Sequence, residues 1–175
     1  MRIGPGRALV VASIIFLTVA GTASAADPRV ERGAYLVSIA GCNDCHTPGY
    51  FLGKPDFARR LGGSDVGFAT PDGTFIGPNL TPDPQTGLGS WSVDQIVTAF
   101  TTGKRPDGRM LAPIMPYDEL ASLTHADALA VAAYLKSLPP VSHKVPGPLA
   151  AHETPPGLVM TLVPGAALAT LPHPP

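Results

Sequence analysis

Two cysteines three positions apart, Cys42 and Cys45, are followed at once by His46, and they are the chain's only cysteines. Two thiols at this spacing can add to the two vinyl groups of a haem, while the adjacent imidazole is held under the iron as proximal ligand. Other chemistries use parts of the pattern. A thioredoxin-like redox pair sits at a strand-to-helix junction of a βαβ unit, and here a helical pattern precedes Cys42. A structural zinc site takes four ligands, whereas His125, His143, His152 and His173 are scattered and no third cysteine exists. A disulfide between Cys42 and Cys45 would close so short a ring that it removes little chain entropy. The spacing points to covalent haem.

A haem iron bound by His46 has a sixth position to fill, and a thioether there raises the reduction potential and suits electron transfer. Met110, Met115 and Met160 are the candidates. Met115 lies between Pro113 and Pro116. These prolines stiffen the backbone outside the α region and remove competing N–H groups. Met110 is less constrained, and Met160 sits in an apolar tail as packing. Pro78 can offer its carbonyl to the Nδ1–H of His46 and so orient the ring. Trp91, the one tryptophan, is expected either to send its N–H to a haem propionate or to pack in the core. Arg105 and Arg109 have the same two readings, propionate partners or solvated surface residues.

The elements that must position these groups are mostly helical. Asp27 and Pro28 start a helix running to Ala40, with Val30, Tyr35, Leu36, Ile39 and Ala40 on roughly one face and Gly41 ending it. Residues 47–90 hold so many glycines and prolines that little regular structure is expected, beyond a short helix or turn within residues 54–61. A loop this long suits a domain that wraps a large prosthetic group. Ser92 caps a helix to about Thr102, with Val93, Ile96, Val97 and Phe100 apolar and Gly103 closing it. Residues 124–127 form a capping box before the last helix, which runs to about Ser137 and is expected to bury Leu129, Val131, Ala132, Tyr134 and Leu135. Residues 142–175 are proline-rich, and an extended or disordered tail is expected there, or one packed across the domain.

Residues 1–25 have the layout of a secretory leader. Arg2 and Arg7 precede a 13-residue apolar run, and Ala23-Ser24-Ala25 offers a small-x-small cleavage site. The run is shorter than the roughly 20 residues that span a bilayer, so no membrane span is expected after cleavage, and a periplasmic location follows. The chain carries 12 basic and 13 acidic side chains; without Arg2 and Arg7 the balance is 10 against 13, a net of −3. No concentrated basic stretch remains, which argues against nucleic acid as partner. The expected organisation is a leader (1–25), a haem domain (26–141) and a proline-rich tail (142–175).

Five segments occur together and in order: residues 41–47 (GCNDCHT), 77–83 (GPNLTPD), 86–91 (TGLGSW), 115–117 (MPY) and 133–141 (AYLKSLPPV). The set resembles the class I cytochrome c domains in the cytochrome subunits of periplasmic alcohol, gluconate and related dehydrogenases, over about residues 29–141. The resemblance implies an all-α cytochrome c fold of three or more helices and long loops around one covalent haem c. It also implies Cys42 and Cys45 as attachment sites, His46 and Met115 as axial ligands, and Trp91 near the haem edge. Those subunits string three such domains together and end in a membrane-attaching segment, whereas this chain has one motif. A one-haem electron carrier, not itself an enzyme, is the expectation. Its donor would be a periplasmic dehydrogenase and its acceptor a cytochrome or terminal oxidase. Two alternatives stand beside it: a haem sensor or enzyme with a displaceable sixth ligand, and a thiol–disulfide oxidoreductase with free thiols.

Overall fold

The structure, a computed structural model, describes residue 1 and residues 27–170. The leader expected at residues 1–25 therefore lies almost wholly outside the described residues, as do the last five residues.

Helix α1 (Pro28–Ile39) begins where Asp27 accepts a hydrogen bond from the Arg29 N–H and Pro28 occupies the first turn. Gly41 ends it in the left-handed region (φ 67°). That conformation turns the chain at once into α2 (Cys42–His46). Ser92 and Gln95 cap each other across the start of α3 (Val93–Thr102), and Gly103 (φ 73°) closes it. A short α4 (Tyr117–Leu120) follows, then α5 (His125–Ser137), capped by the Thr124 hydroxyl on the Asp127 N–H. The capping box expected at residues 124–127 is half made, because the Asp127 carboxylate bonds Arg32 Nε of α1 at 2.8 Å instead.

The core lies where α1, α3 and α5 meet. Leu36 and Val37, Ile96 and Phe100, and Ala128, Val131, Ala132 and Leu135 are buried there, with Leu61 and Leu88 contributed by loops. Gly33 sits at the α1–α5 crossing, where a Cβ would run into the Ala130 carbonyl. The absent side chain is what lets the two helices approach so closely. The apolar face expected for α1 is corrected accordingly: Gly33, Leu36 and Val37 are buried, while Tyr35 and Ile39 are exposed. Helix α5 likewise buries Ala128 and Ala130, and leaves Leu129 and Tyr134 half-buried.

In the loops, one expectation is met and one is revised. Residues 57–59 form one turn of 3-10 helix. Residues 66–76, expected to lack regular structure, form a hairpin of β1 (Val66–Thr70) and β2 (Gly73–Ile76). The chain reverses through Pro71 and Asp72, and Thr70 Oγ1 accepts from the Asp72 N–H and donates to the Gly73 carbonyl. The tail adds β3 (Leu158–Thr161) parallel to β1, giving the order β2-β1-β3. The tail also bridges through Leu149 to Thr74. The described residues thus form five α-helices, short 3-10 turns and a small three-stranded sheet, so the all-α expectation does not describe residues 66–76 and 158–161. Among the described residues no helix is long and apolar enough to cross a membrane.

Candidate haem site

The site is built on α2, a single turn of helix that carries both cysteines and the histidine. His46 is buried, and its Nδ1 lies 2.8 Å from the Pro78 carbonyl oxygen. A carbonyl can only accept, so Nδ1 carries the proton and Nε2 presents a lone pair. Burial pushes the imidazole pKa down, with the Pro78 bond opposing, and this favours the neutral ring. No buried side-chain nitrogen or oxygen among the described residues lacks a partner. Nε2, which makes no hydrogen bond there, is therefore open rather than sealed. A neutral imidazole with one nitrogen oriented by a carbonyl and the other free is the arrangement of a metal-ligating histidine.

Close packing delivers the Pro78 carbonyl to this point. Gly77 lies against the Cys45 carbonyl, where a Cβ would collide, and beside His46 Nδ1. Beyond it, Asn79 is buried with its amide fully used. Oδ1 accepts from the Thr81 N–H (2.9 Å) and hydroxyl (2.7 Å), and Nδ2 donates to the Val141 carbonyl (2.7 Å) and Thr86 Oγ1 (3.1 Å). Thr81 Oγ1 in turn accepts from the Val141 N–H at 3.0 Å. On the other flank of α2, Asn43 Oδ1 accepts from Thr47 Oγ1 and Arg60 Nε, and Thr47 Oγ1 accepts from the Leu61 N–H. The turn bearing His46 is thus fixed from both sides.

Cys42 and Cys45 are free thiols, both half-buried. Burial pushes the Cys42 thiol up to about 11 and raises Cys45 as well, with Asp44 adding to both. A thiol–disulfide exchanger needs a stabilised thiolate. These thiols have the opposite bias.

Met115 is half-buried and packs against the same core cluster as Cys42, together with Leu80, Trp91 and Val97. Met110 is 51% exposed and Met160, on β3, is 46% exposed. Among these three methionines, Met115 alone packs against the core. Its loop is held locally: the Met115 N–H donates to Ala112 and its carbonyl accepts from Tyr117. The Tyr117 ring lies over Gly103 at the end of α3. Trp91 packs on the core, and the Arg105 guanidinium lies 5.0 Å from its ring centroid. Arg105 also reaches Asp107 at 3.3 Å. Among the described residues no three His, Cys, Asp or Glu side chains converge as a metal-ligand group. The donors present are two thiols, one imidazole and one thioether in apolar surroundings, and they fit a haem held by thioether bonds and axial His and Met.

Sequence reasoning did not single out Asn43, Thr47, Arg60, Gly77 or Lys136. Lys136 Nζ donates to the carbonyls of Gly89 and Trp91. The partners of Gly77 and Lys136 lie more than 30 residues away, beyond the reach of any local pattern. Asn43, inside the cysteine motif, carried a weak signal, since a polar residue between two half-buried thiols needs a partner.

The family model for cytochrome c matches residues 30–139. The chain belongs to the cytochrome c family. Within it, the chain is similar to the fructose dehydrogenase cytochrome subunit of Gluconobacter japonicus, 39% identical over 112 residues (62% of this chain and 22% of that protein). It is also similar to the gluconate 2-dehydrogenase cytochrome c subunit of Pantoea cypripedii, 36% identical over 127 residues (73% and 27%). The cytochrome c subunit of the quinone-dependent alcohol dehydrogenase of Gluconobacter oxydans is 34% identical over 105 residues (60% and 20%). The chain spans only 20% to 27% of the length of these three relatives. These matches identify a class I c-type cytochrome domain of the kind found in dehydrogenase cytochrome subunits, a domain type that carries haem c.

Proposed function

We propose that this chain is a periplasmic c-type cytochrome with one haem, which passes single electrons from a dehydrogenase to a respiratory-chain acceptor, a cytochrome or terminal oxidase. The observation that carries the reading is the His46 ring, with Nδ1 held by Pro78 and Nε2 open, on the same helical turn as two half-buried thiols. Haem c, when bound, supplies an iron that alternates between ferric and ferrous states. Cys42 and Cys45 would hold it by thioether bonds, His46 and Met115 would be its axial ligands, and Trp91 with Arg105 would border its edge. With His46 and Met115 both holding the iron, no position would remain for a substrate, so the role is electron transfer rather than catalysis. The single Cys-x-x-Cys-His motif supports one haem. The leader-like residues 1–25 support export, and the relatives' names support a dehydrogenase as donor.

The test is a spectrum of the exported protein in both oxidation states, with and without carbon monoxide, and an iron-to-protein ratio. Low-spin iron, one per chain, that does not take up carbon monoxide is the expected result. High-spin iron that binds carbon monoxide readily would replace this reading with a sensor or haem enzyme, and absence of haem would overturn both.

A further inference from the structure

Lys136 stands in the last turn of α5, a position where a lysine is ordinarily a solvated complement to the helix dipole. Such a residue bonds water or the final carbonyls of its own helix. Lys136 instead turns to carbonyls outside its own helix. Its Nζ lies 3.0 Å from the Gly89 oxygen, 3.1 Å from the Trp91 oxygen and 3.5 Å from the Leu88 oxygen, all on a distant segment. An ammonium has three N–H donors, and three carbonyls converge on this one. Lys54, Lys104 and Lys144, the chain's other lysines, are exposed, whereas Lys136 is half-buried.

The segment that presents the carbonyls is wound tightly. The N–H groups of Gly87 and Gly89 both donate to the Asp83 oxygen, Leu88 donates to Thr81, and Trp91 donates to Leu88. Leu88 is anchored in the core, and the Trp91 ring packs against it beneath Arg105. Arg105 belongs to a loop closed by its own N–H on the Arg109 oxygen and by the Leu111 N–H on the Gly103 oxygen, just ahead of Met115. A continuous path of contacts thus runs from α5 through the ammonium, the Trp91 backbone, the indole and Arg105 to the methionine loop.

We propose that Lys136 is a positioning residue of the haem site: locked on the Leu88, Gly89 and Trp91 carbonyls, its ammonium holds the Trp91–Arg105 pair in place beside the methionine loop. The proposal rests on the haem reading for its effect on the iron, but not for the lock itself. Replacing Lys136 by an apolar chain of similar length leaves three carbonyls without their cationic donor, so the segment relaxes and Trp91 with it.

The lock is tested first on the unaltered haem-loaded protein, by a brief pulse of acetic anhydride followed by peptide mass analysis. Charge-assisted hydrogen bonds of this kind slow acetylation of Lys136 at least about tenfold relative to Lys54 and Lys144; equal rates overturn the proposal. Lys136→Met, Lys136→Arg and, as a control on the same helix pair, Arg32→Met are then compared by the near-ultraviolet dichroism of Trp91 and by reduction potential. Lys136→Met is expected to weaken the tryptophan signal and lower the potential, Lys136→Arg to restore part of both, and Arg32→Met to reduce stability while leaving both unchanged. A Lys136→Met protein that loses stability yet keeps its tryptophan signal and potential assigns Lys136 a purely structural role and overturns the proposal. Should Lys136→Met not fold, the acetylation rates decide. Those rates do not depend on iron, so a protein without haem would refute the proposed function while leaving the lock measurable.

Discussion

Around His46 the chain is tied by buried contacts between residues far apart in sequence, whereas around Met115 it is held by surface turns between near neighbours. The His46 ring is bonded to Pro78, 32 residues away, and Asn79 is bonded to Val141, 62 residues away. The hydrogen bonds of the Met115 backbone reach no further than Ala112 and Tyr117, and its neighbour Ile114 is 48% exposed. Long-range ties make the imidazole side part of the global fold, while local turns let the thioether side open without unfolding the rest. For a carrier with His/Met iron, this would mean one ligand fixed by the global fold and one held in place by its own loop.

The largest expected effect comes from filling the closest approach on the His46 side. Gly77→Ala drives a Cβ into the Cys45 carbonyl, and should cost about 3 kcal/mol or more, or abolish haem attachment. Gly108→Ala, near the methionine loop, meets no neighbour but has φ 83°, and should cost only about 1 kcal/mol. Denaturant unfolding of the two variants compares the regions directly; equal losses would remove the contrast.

Met115→Ala should alter unfolding little, yet leave the iron high-spin or ligand-accessible at a lower potential. Met110→Ala and Met160→Ala should change neither. Absorption spectra and potentiometry separate the three, and an unchanged spectrum in Met115→Ala would show that this residue is not the sixth ligand.

Asn79→Ala strips the Val141 carbonyl and the Thr81 groups of buried partners, and should cost about 2 kcal/mol in chemical denaturation, with little change in potential. A loss below about 0.5 kcal/mol would mean that water replaces the amide.

The smallest effect lies away from both sides, at the α1–α5 pair. The Arg32 guanidinium holds the Asp127 carboxyl below its ordinary value of 3.8. A depressed folded pKa gives stability that is present above the unfolded value and is lost as pH falls through the folded one. The stability difference between the unaltered protein and Asp127→Asn should thus be present at neutral pH and vanish on acidification below about pH 4. A difference independent of pH would remove the ion pair from the account.

Helix ends were legible in the sequence because caps are local: Asp27, Ser92 with Gln95, Thr124, Gly41 and Gly103 all stand within a few residues of the groups they satisfy. Helix faces were less so. A pattern of hydropathy favours Tyr35 and Ile39, but α1 meets α5 at Gly33, a residue that hydropathy ranks low and that matters because it has no side chain. The sheet escaped notice because β1 and β2 are five and four residues long, hold glycine, and gain their third strand from residues some 90 positions away. At the site, the chemical groups could be read from the types and spacing of Cys42, Cys45 and His46. Arg60 and Gly77, which help fix them, could not, because each acts through a partner brought near only by folding.

The most direct test is the mass of the proteolytic peptide that contains residues 42–46, taken from the exported protein after acid–acetone extraction. The account predicts a peptide heavier by one haem, with both thiols consumed. The same peptide recovered with free thiols, or with a Cys42–Cys45 disulfide, would contradict it.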